Sequence, residues 1–400
     1  MNRPLAGLKV VDLTRALAGP FSTMALADLG ADIIKIEPSP SGDMIRRWGP
    51  FDGENSVYYL SANRNKRCLG INFRSEKGLE VLKQMALQAD IVVENFKVGA
   101  MQSMGLGFES LSANNPKLIM ASISGFGTEG PAKNWPGFDQ IAQGYSGLMS
   151  VTGTSETGPT RVGVPVGDMT AGLWLTVGVL AAVIERQHTG KGQHVQTSLL
   201  SSLLSFLSVQ GQRYLSLGEV PTPMGNGHPV IFPYGSFMTA DGPINIAPAT
   251  TAMWEKVCEL LGLAHLVTDK RFLTNTDRVN NRSILQAEFD QALSVSDRET
   301  WTSLLLSNGI PAGPIHSIQD AMEDRQVQAM QMVEEIDYPE LGPVRHVGLP
   351  LEMGSVPKGK SIYAPAPFFG EHSREILREF GWKDPQIDEM IAGDVIYQRA

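Results

Sequence analysis

Short apolar runs and helix-spaced apolar positions alternate through the first third of the chain. Gly7–Arg15 carries Leu8, Val10, Val11 and Leu13 and predicts a buried strand. Pro20–Leu29 predicts a helix and Asp32–Glu37 (DIIKIE) the next strand, a compact βαβ unit whose strands should pair in parallel. Cys68–Phe73 is strand-like. Ser75 then stands where it can cap a helix with Leu79, Leu82, Met85, Ala86 and Ala89 on one face. Asp90–Glu94 and Lys117–Ser122 are further buried strands. This pattern predicts an α/β fold, a doubly wound parallel sheet with helices on both faces.

A different pattern occupies residues 161–186. The run Val162–Val166 predicts a short strand, Gly167 ends it, and Asp168 precedes an apolar stretch, Met169–Arg186, whose next charge is Glu185. An Asp in that place is first of all a helix N-cap, although the reciprocal capping box would want Glu or Gln where Ala171 stands. The same place suits an attacking carboxylate, because the helix N-terminus would hold it ionised. The helix is apolar on every face and rich in small residues, which predicts burial between layers.

Beyond it, HTGKGQHV predicts a turn into a short strand, and Thr197–Ser216 a helix. Residues 217–234 are rich in Pro and Gly and predict a linker. Ser236–Ala240 and Pro243–Ala247 flank Asp241-Gly242, a hairpin signal. Helices follow at 251–261, 281–293 and 296–307. The last opens on Ser296-x-x-Glu299 and stops at Gly309 before Pro311. The tail predicts a helix near 317–330, a polar β region near 332–352, a helix at 371–380 and another after Pro385. The expected division is a large α/β domain over 1–216, a linker over 217–234, a small α+β domain over 235–315, and a segment over 316–400 returning to the large domain.

Composition narrows the chemistry. Four hundred residues, 42% hydrophobic and 19% charged, predict a globular protein of two or three domains. A net charge of −9 argues against nucleic acid and anionic membranes as partners. A phosphate-rich ligand would need a local basic cluster, and Arg46-Arg47, Asn63–Arg67, Arg74 and Lys97 supply candidates near strand ends. Cys68 and Cys258 make no disulfide or metal framework. The N-terminus has no signal-like apolar region and Leu173–Ile184 is short for a bilayer span, so a cytoplasmic protein is expected.

Several familiar sites fail on spacing. The turn after the first strand, RALAGPFST, has Gly19 alone and lacks the dinucleotide fingerprint, although Glu37 sits where a ribose-binding acid would. Gly190-Lys191 is followed by Gly192, not the Ser or Thr of a P-loop. Gly144-Tyr145-Ser146-Gly147 breaks the hydrolase elbow. His188 and His194 sit beside a turn and have no metal-ligand spacing; both are expected at the surface.

The stretches GLKVVDLTRALAGPFSTMALADLGADIIKIEP, NRNKR, ADIVVENFKVGAM, NPKLIMASISGFG, RVGVPVGDMTAG and TGKGQHV, with FFGEHS in the tail, resemble the class III coenzyme A transferases. That family also includes carnitine-CoA transferase-like proteins and α-methylacyl-CoA racemase. The resemblance spans essentially the whole chain and implies that Asp168 is the nucleophile. It implies coenzyme A contacts at Pro38, Ile71, Arg74, Asn95, Phe96 and Lys97, acyl-CoA and a small carboxylic acid as substrates, and neither metal nor NAD. It also implies an intertwined homodimer. Met224–Pro229, holding Gly225, Asn226, Gly227 and His228, best matches the family's glycine-rich lid but is shorter; Arg15 and His228 are candidate acid-binding groups by position. Two departures narrow the activity. Gly137-Phe138-Asp139 stands where the racemases carry a catalytic His, and Leu17 where formyl-CoA transferases carry Gln, which disfavours racemization and the oxalate–formate pair. GNGHPVIFPYGSF looks closer to transferases using succinyl-CoA and dicarboxylic acids. The alternatives are an acyl-CoA racemase or isomerase and a nicotinamide-dependent oxidoreductase.

Overall fold

In the computed structural model, which describes residues 3–399, the apolar runs lie side by side in a seven-stranded sheet. Its strands are β1 (Lys9–Asp12), β2 (Asp32–Pro38), β3 (Lys66–Ile71), β4 (Ile91–Glu94), β5 (Ile119–Ser124), β6 (His194–Ser198) and β7 (Ile396–Tyr397). The spatial order is β7-β3-β2-β1-β4-β5-β6. The first six are parallel, with Val10 beside both Ile33 and Ile91, whereas β7 runs antiparallel at the edge, Ile396 against Ile71. The chain builds outward from β1 to β3, then crosses back to add β4 on the other side of β1. That reversal opens a crevice at the carboxyl ends of β1 and β4, where open α/β sheets bind ligands.

The helices that matter are α1 (Ala18–Asp28), α2 (Glu76–Gln88), α3 (Asp139–Tyr145), α4 (Val166–Thr189), α5 (Leu199–Phe206) and α6 (Ser208–Leu217). Ser75 caps α2 as expected, its Oγ accepting the Gly78 N–H at 3.1 Å, and Val81, Leu82 and Met85 pack with Val11, Leu13 and Val92 on one sheet face. On the other face α1 packs against α4. A Cβ on Gly172 would lie 2.7 Å from the Ala18 carbonyl oxygen, so the close approach of the two helices requires glycine there. Ser22 and Thr176 join hydroxyls across it at 3.0 Å. The helix expected over Thr197–Ser216 is two, α5 and α6, broken where Ser208 takes φ +46°.

Four corrections concern α4. No strand forms over Val162–Val166: Pro165 has no N–H to offer a ladder, and the Val162 N–H goes to the Gln143 side chain at 2.9 Å. The helix begins at Val166, so Asp168 lies inside its first turn and is not its cap; Pro165 holds that place. At 24 residues α4 is by length and composition able to cross a bilayer, contrary to the expectation of a run too short to span. Nor is it buried all round. Ala171, Leu175, Val179 and Ala182 face the core, while Leu173, Trp174, Val177 and Ile184 are exposed.

Charges fill the α1 side of the sheet. Asp12, fully buried, meets Lys66 Nζ at 3.2 Å, and buried Lys35 meets Asp43 at 3.0 Å. Lys66 also donates to the Pro20 carbonyl, Thr23 Oγ1 and Asn63 Oδ1 at 2.8–3.0 Å. Burial pulls Lys66 down to about 8 against the pull of Asp12. Burial would raise Asp12, but Lys66 and Lys35 outweigh it and hold it below the usual carboxylate range. Arg46 is forked onto Glu37, Arg64 onto Asp28, and Arg67 onto Asp32 and Glu379. The expectation that Arg46 and the NRNKR segment hold phosphates is therefore corrected, because their cations already face carboxylates. Arg74 and Lys97 have no such partner among the described residues and are exposed.

The second unit comprises Ser150–Thr160 and Pro221–Asp324, while the tail from Arg325 belongs with the sheet. This division differs from a linker over 217–234. Residues from Pro221 on, together with the earlier segment around Gly153, pack into the smaller unit, where the Gly225 N–H donates to the Gly153 carbonyl at 2.7 Å. The expected hairpin forms between Gly235–Met238 and Pro243–Ile246, with Ala312–Pro314 as a third antiparallel strand. Trp254, Phe237, Phe289 and Leu305 form its core. Asp297 caps the helix Arg298–Ser307, displacing the expected Ser296–Glu299 box.

Candidate active site

The crevice between β1 and β4 opens into a cavity of about 370 Å³. Arg15, Leu17 and Asn95 line it from the two strand ends, Phe138 and Asp139 from the start of α3, and Asp168 from the first turn of α4. Residues distant in sequence thus meet at one place. Asn95 holds the β1 side: its Oδ1 accepts the Arg15 N–H at 2.9 Å and its Nδ2 donates to the Arg15 carbonyl at 2.8 Å. The Arg15 guanidinium lies 4.9 Å over the Phe96 ring and has no carboxylate partner among the described residues, so it is the cavity's available cation on this wall.

Asp139 organises the start of α4. Its Oδ1 accepts the Gly167 N–H at 2.7 Å and its Oδ2 the Gln143 amide at 2.7 Å. A Cβ at position 167 would stand 2.9 Å from that Oδ1, so the residue before Asp168 must be glycine for the bond to form. Asp168 is half-buried and its pKa is pushed up to about 7, first by burial and then by the charge of Asp139. This corrects the expectation of a carboxylate held ionised by the helix terminus: desolvation and a like charge outweigh the dipole here. The carboxylate is consequently ionised above pH 7 and poorly solvated, which favours attack on an electrophile.

The sequence profile of CoA-transferase family III matches residues 5–373. The chain belongs to that family. Succinyl-CoA:glutarate CoA-transferase of Homo sapiens is 36% identical over 402 residues, covering 99% of this chain and 90% of that protein. Succinyl-CoA:mesaconate CoA-transferase of Haloarcula marismortui is 39% identical over 390 residues, covering 94% and 96%. Among solved structures, a CaiB/BaiF family protein from Brucella suis superposes with a TM-score of 0.85 at 38% identity, covering 95% of this chain and 100% of that one. The protein is a CoA-transferase, an enzyme whose substrates are CoA thioesters.

The positions at which the family resemblance implies coenzyme A contacts lie at the carboxyl ends of β2, β3 and β4, with β1 between β2 and β4. Pro38 ends β2 beside Ile71, which ends β3 and is fully buried. Arg74 follows β3 and is exposed, and Asn95, Phe96 and Lys97 follow β4. Gly225, Asn226, Gly227 and His228 belong to the second unit, where Arg282 donates to the His228 carbonyl at 2.9 Å and the His228 ring lies 4.9 Å from Tyr234. His194 is less exposed than expected. It is half-buried on β6, its Nε2 2.8 Å from Ser122 Oγ and its ring stacked on Phe108. Sequence reasoning missed Asp139, Trp48, Tyr58 and Arg161, all of which line the cavity. A signal for Asp139 existed in Gly137-Phe138-Asp139, where only the Phe drew notice.

Proposed function

We propose that Asp168 carries coenzyme A between two carboxylic acids, with succinyl-CoA as donor and a dicarboxylic acid as acceptor. The observation that carries this reading is a half-buried, desolvated carboxylate in the switch-point cavity, with Arg15 and Arg161 on the same walls. The activities for which the human and Haloarcula relatives are named support the choice of succinyl-CoA.

An Asp168 oxygen attacks the thioester carbonyl, the C–S bond breaks, and coenzyme A leaves as thiolate from a mixed aspartyl–acyl anhydride. The thiolate attacks the Asp168 carbonyl, expelling the donor acid as carboxylate and leaving an aspartyl-CoA thioester. The acceptor carboxylate then attacks that thioester and releases thiolate again. Thiolate attack on the acceptor's carbonyl in this second anhydride forms the new thioester and returns Asp168 as carboxylate. The guanidinium of Arg15 offers a partner for the distal carboxylate of a dicarboxylic acid. Phe138 lines the same cavity but carries no titratable group, so it offers no proton shuttle for racemization. The test is CoA exchange, followed by mass spectrometry, over a panel of donors and acids that includes oxalate and formate. Exchange is expected with succinyl-CoA and C4–C6 dicarboxylates; turnover with NADH and no exchange would support the oxidoreductase.

The pH dependence follows from Asp168. Attack needs the ionised form, so kcat/KM falls as pH drops through about 7. Asp139→Asn removes the like charge while leaving an oxygen for the Gly167 N–H, and should move that acid limb to lower pH. An unmoved limb would exclude the Asp139 charge as a cause of the raised pKa and leave burial alone.

We also propose a homodimer. Leu173, Trp174 and Val177 on α4 and Val209, Leu215 and Leu217 on α6 are all exposed in the single chain, and a second copy packed on these helices would cover them. Light scattering is expected to give twice the chain mass of 43.4 kDa at micromolar concentration; a monomer would refute it.

A further inference from the structure

A second cavity, about 510 Å³, opens beside the one that holds Asp168, and Leu17, Tyr58 and Pro165 line both. Their characters differ. Asp168 faces the smaller cavity, which has Arg15, Asn95 and Arg161 on its walls, whereas the next residue, Met169, faces the larger one together with Phe21, Met24, Val57, Val164 and Leu349. The two charged side chains on its wall are closed on one another: Arg64 gives Nε and Nη2 to Asp28 at 3.1 and 2.7 Å and Nη1 to the Val347 carbonyl at 2.8 Å. Ser61 donates to the Tyr58 carbonyl at 2.8 Å. Water entering this space would find few free polar partners, and an ionised group would find no counter-charge. A volume of this size and lining suits a hydrocarbon body.

We propose that this cavity is an acyl subsite, holding the hydrocarbon of a linear or branched monocarboxylic acid, or of its CoA thioester, while the carboxyl carbon reaches Asp168 past Leu17 and Pro165. The inference rests on Asp168 as nucleophile and extends the substrate range beyond dicarboxylic acids. In a four-step exchange one carboxylate serves both acids, so two differently lined spaces beside it let one enzyme take a polar acyl group on one side and an apolar one on the other.

The experiment measures exchange from succinyl-CoA to butanoate, hexanoate, octanoate and decanoate. Each CH2 that enters the cavity should lower KM about fourfold, until the space is filled. Ala25→Trp adds bulk on the cavity wall and should raise KM for octanoate at least about tenfold more than KM for butanoate. Val57→Trp, on another wall, repeats the test if Ala25→Trp lowers the melting temperature. Calorimetry of octanoyl-CoA and butanoyl-CoA with Asp168→Asn reads the same preference without turnover, so the subsite can be scored even if exchange fails. Tighter octanoyl-CoA binding that Ala25→Trp abolishes supports the subsite. A flat chain-length series in both exchange and calorimetry would overturn it.

Discussion

Asp168→Asn and Asp168→Ala are expected to lose CoA exchange by at least about four orders of magnitude, because in the proposed mechanism the side chain bonds first to the acyl group and then to coenzyme A. Loss of fold is not the reason expected. The folded-state pKa of about 7 lies above the unfolded-chain value near 3.8, so the ionised carboxylate opposes folding. That cost is full above pH 7, shrinks as pH falls toward 4, and is absent below it. The Asn variant should therefore melt no lower than wild type at pH 8, with its advantage vanishing in acid. An inactive variant that melts well below wild type at pH 8 would assign Asp168 a structural role instead.

Lys66→Met should carry the largest stability effect, about 3–5 kcal/mol, because it leaves Asp12 ionised with no countercharge in contact in a dry site. Thermal unfolding should shift by roughly 4–8 °C. The double variant Asp12→Leu/Lys66→Met should recover part of the loss, since no charge is then stranded. Arg74→Ala is the contrast: exposed and without a carboxylate partner, it should change stability by no more than about 0.5 kcal/mol while raising KM for the CoA thioester. Equal destabilisation by both would refute the division of the basic residues into ion-paired and exposed, unpaired groups.

That division shows what the sequence could and could not reveal. The strands were legible because β1, β2, β4 and β5 are apolar runs buried on both faces, a signal local to each run. The ion pairs were not, because Lys66 and Asp12 are 54 residues apart and nothing near NRNKR says that a carboxylate waits across the sheet. Position 168 was legible as a lone carboxylate before an apolar helix, yet its surroundings were not. The run before it reads as a strand because Val162–Val166 is short, apolar and ended by Gly167, and only the tertiary contact from Gln143 shows that the segment is held by α3. Asp139 acts on Asp168 through a fold contact between residues 28 and 29 positions away, which no periodicity encodes. The break at Ser208 and the bare face of α4 are likewise properties of packing.

The most direct measurement is chemical trapping. Hydroxylamine is added to the protein with and without succinyl-CoA, and the peptide holding Asp168 is analysed by mass spectrometry. A hydroxamate on Asp168 that forms only with the thioester present, together with loss of activity, is the predicted result. An unmodified Asp168 in protein that turns over succinyl-CoA would contradict a covalent carrier at this position.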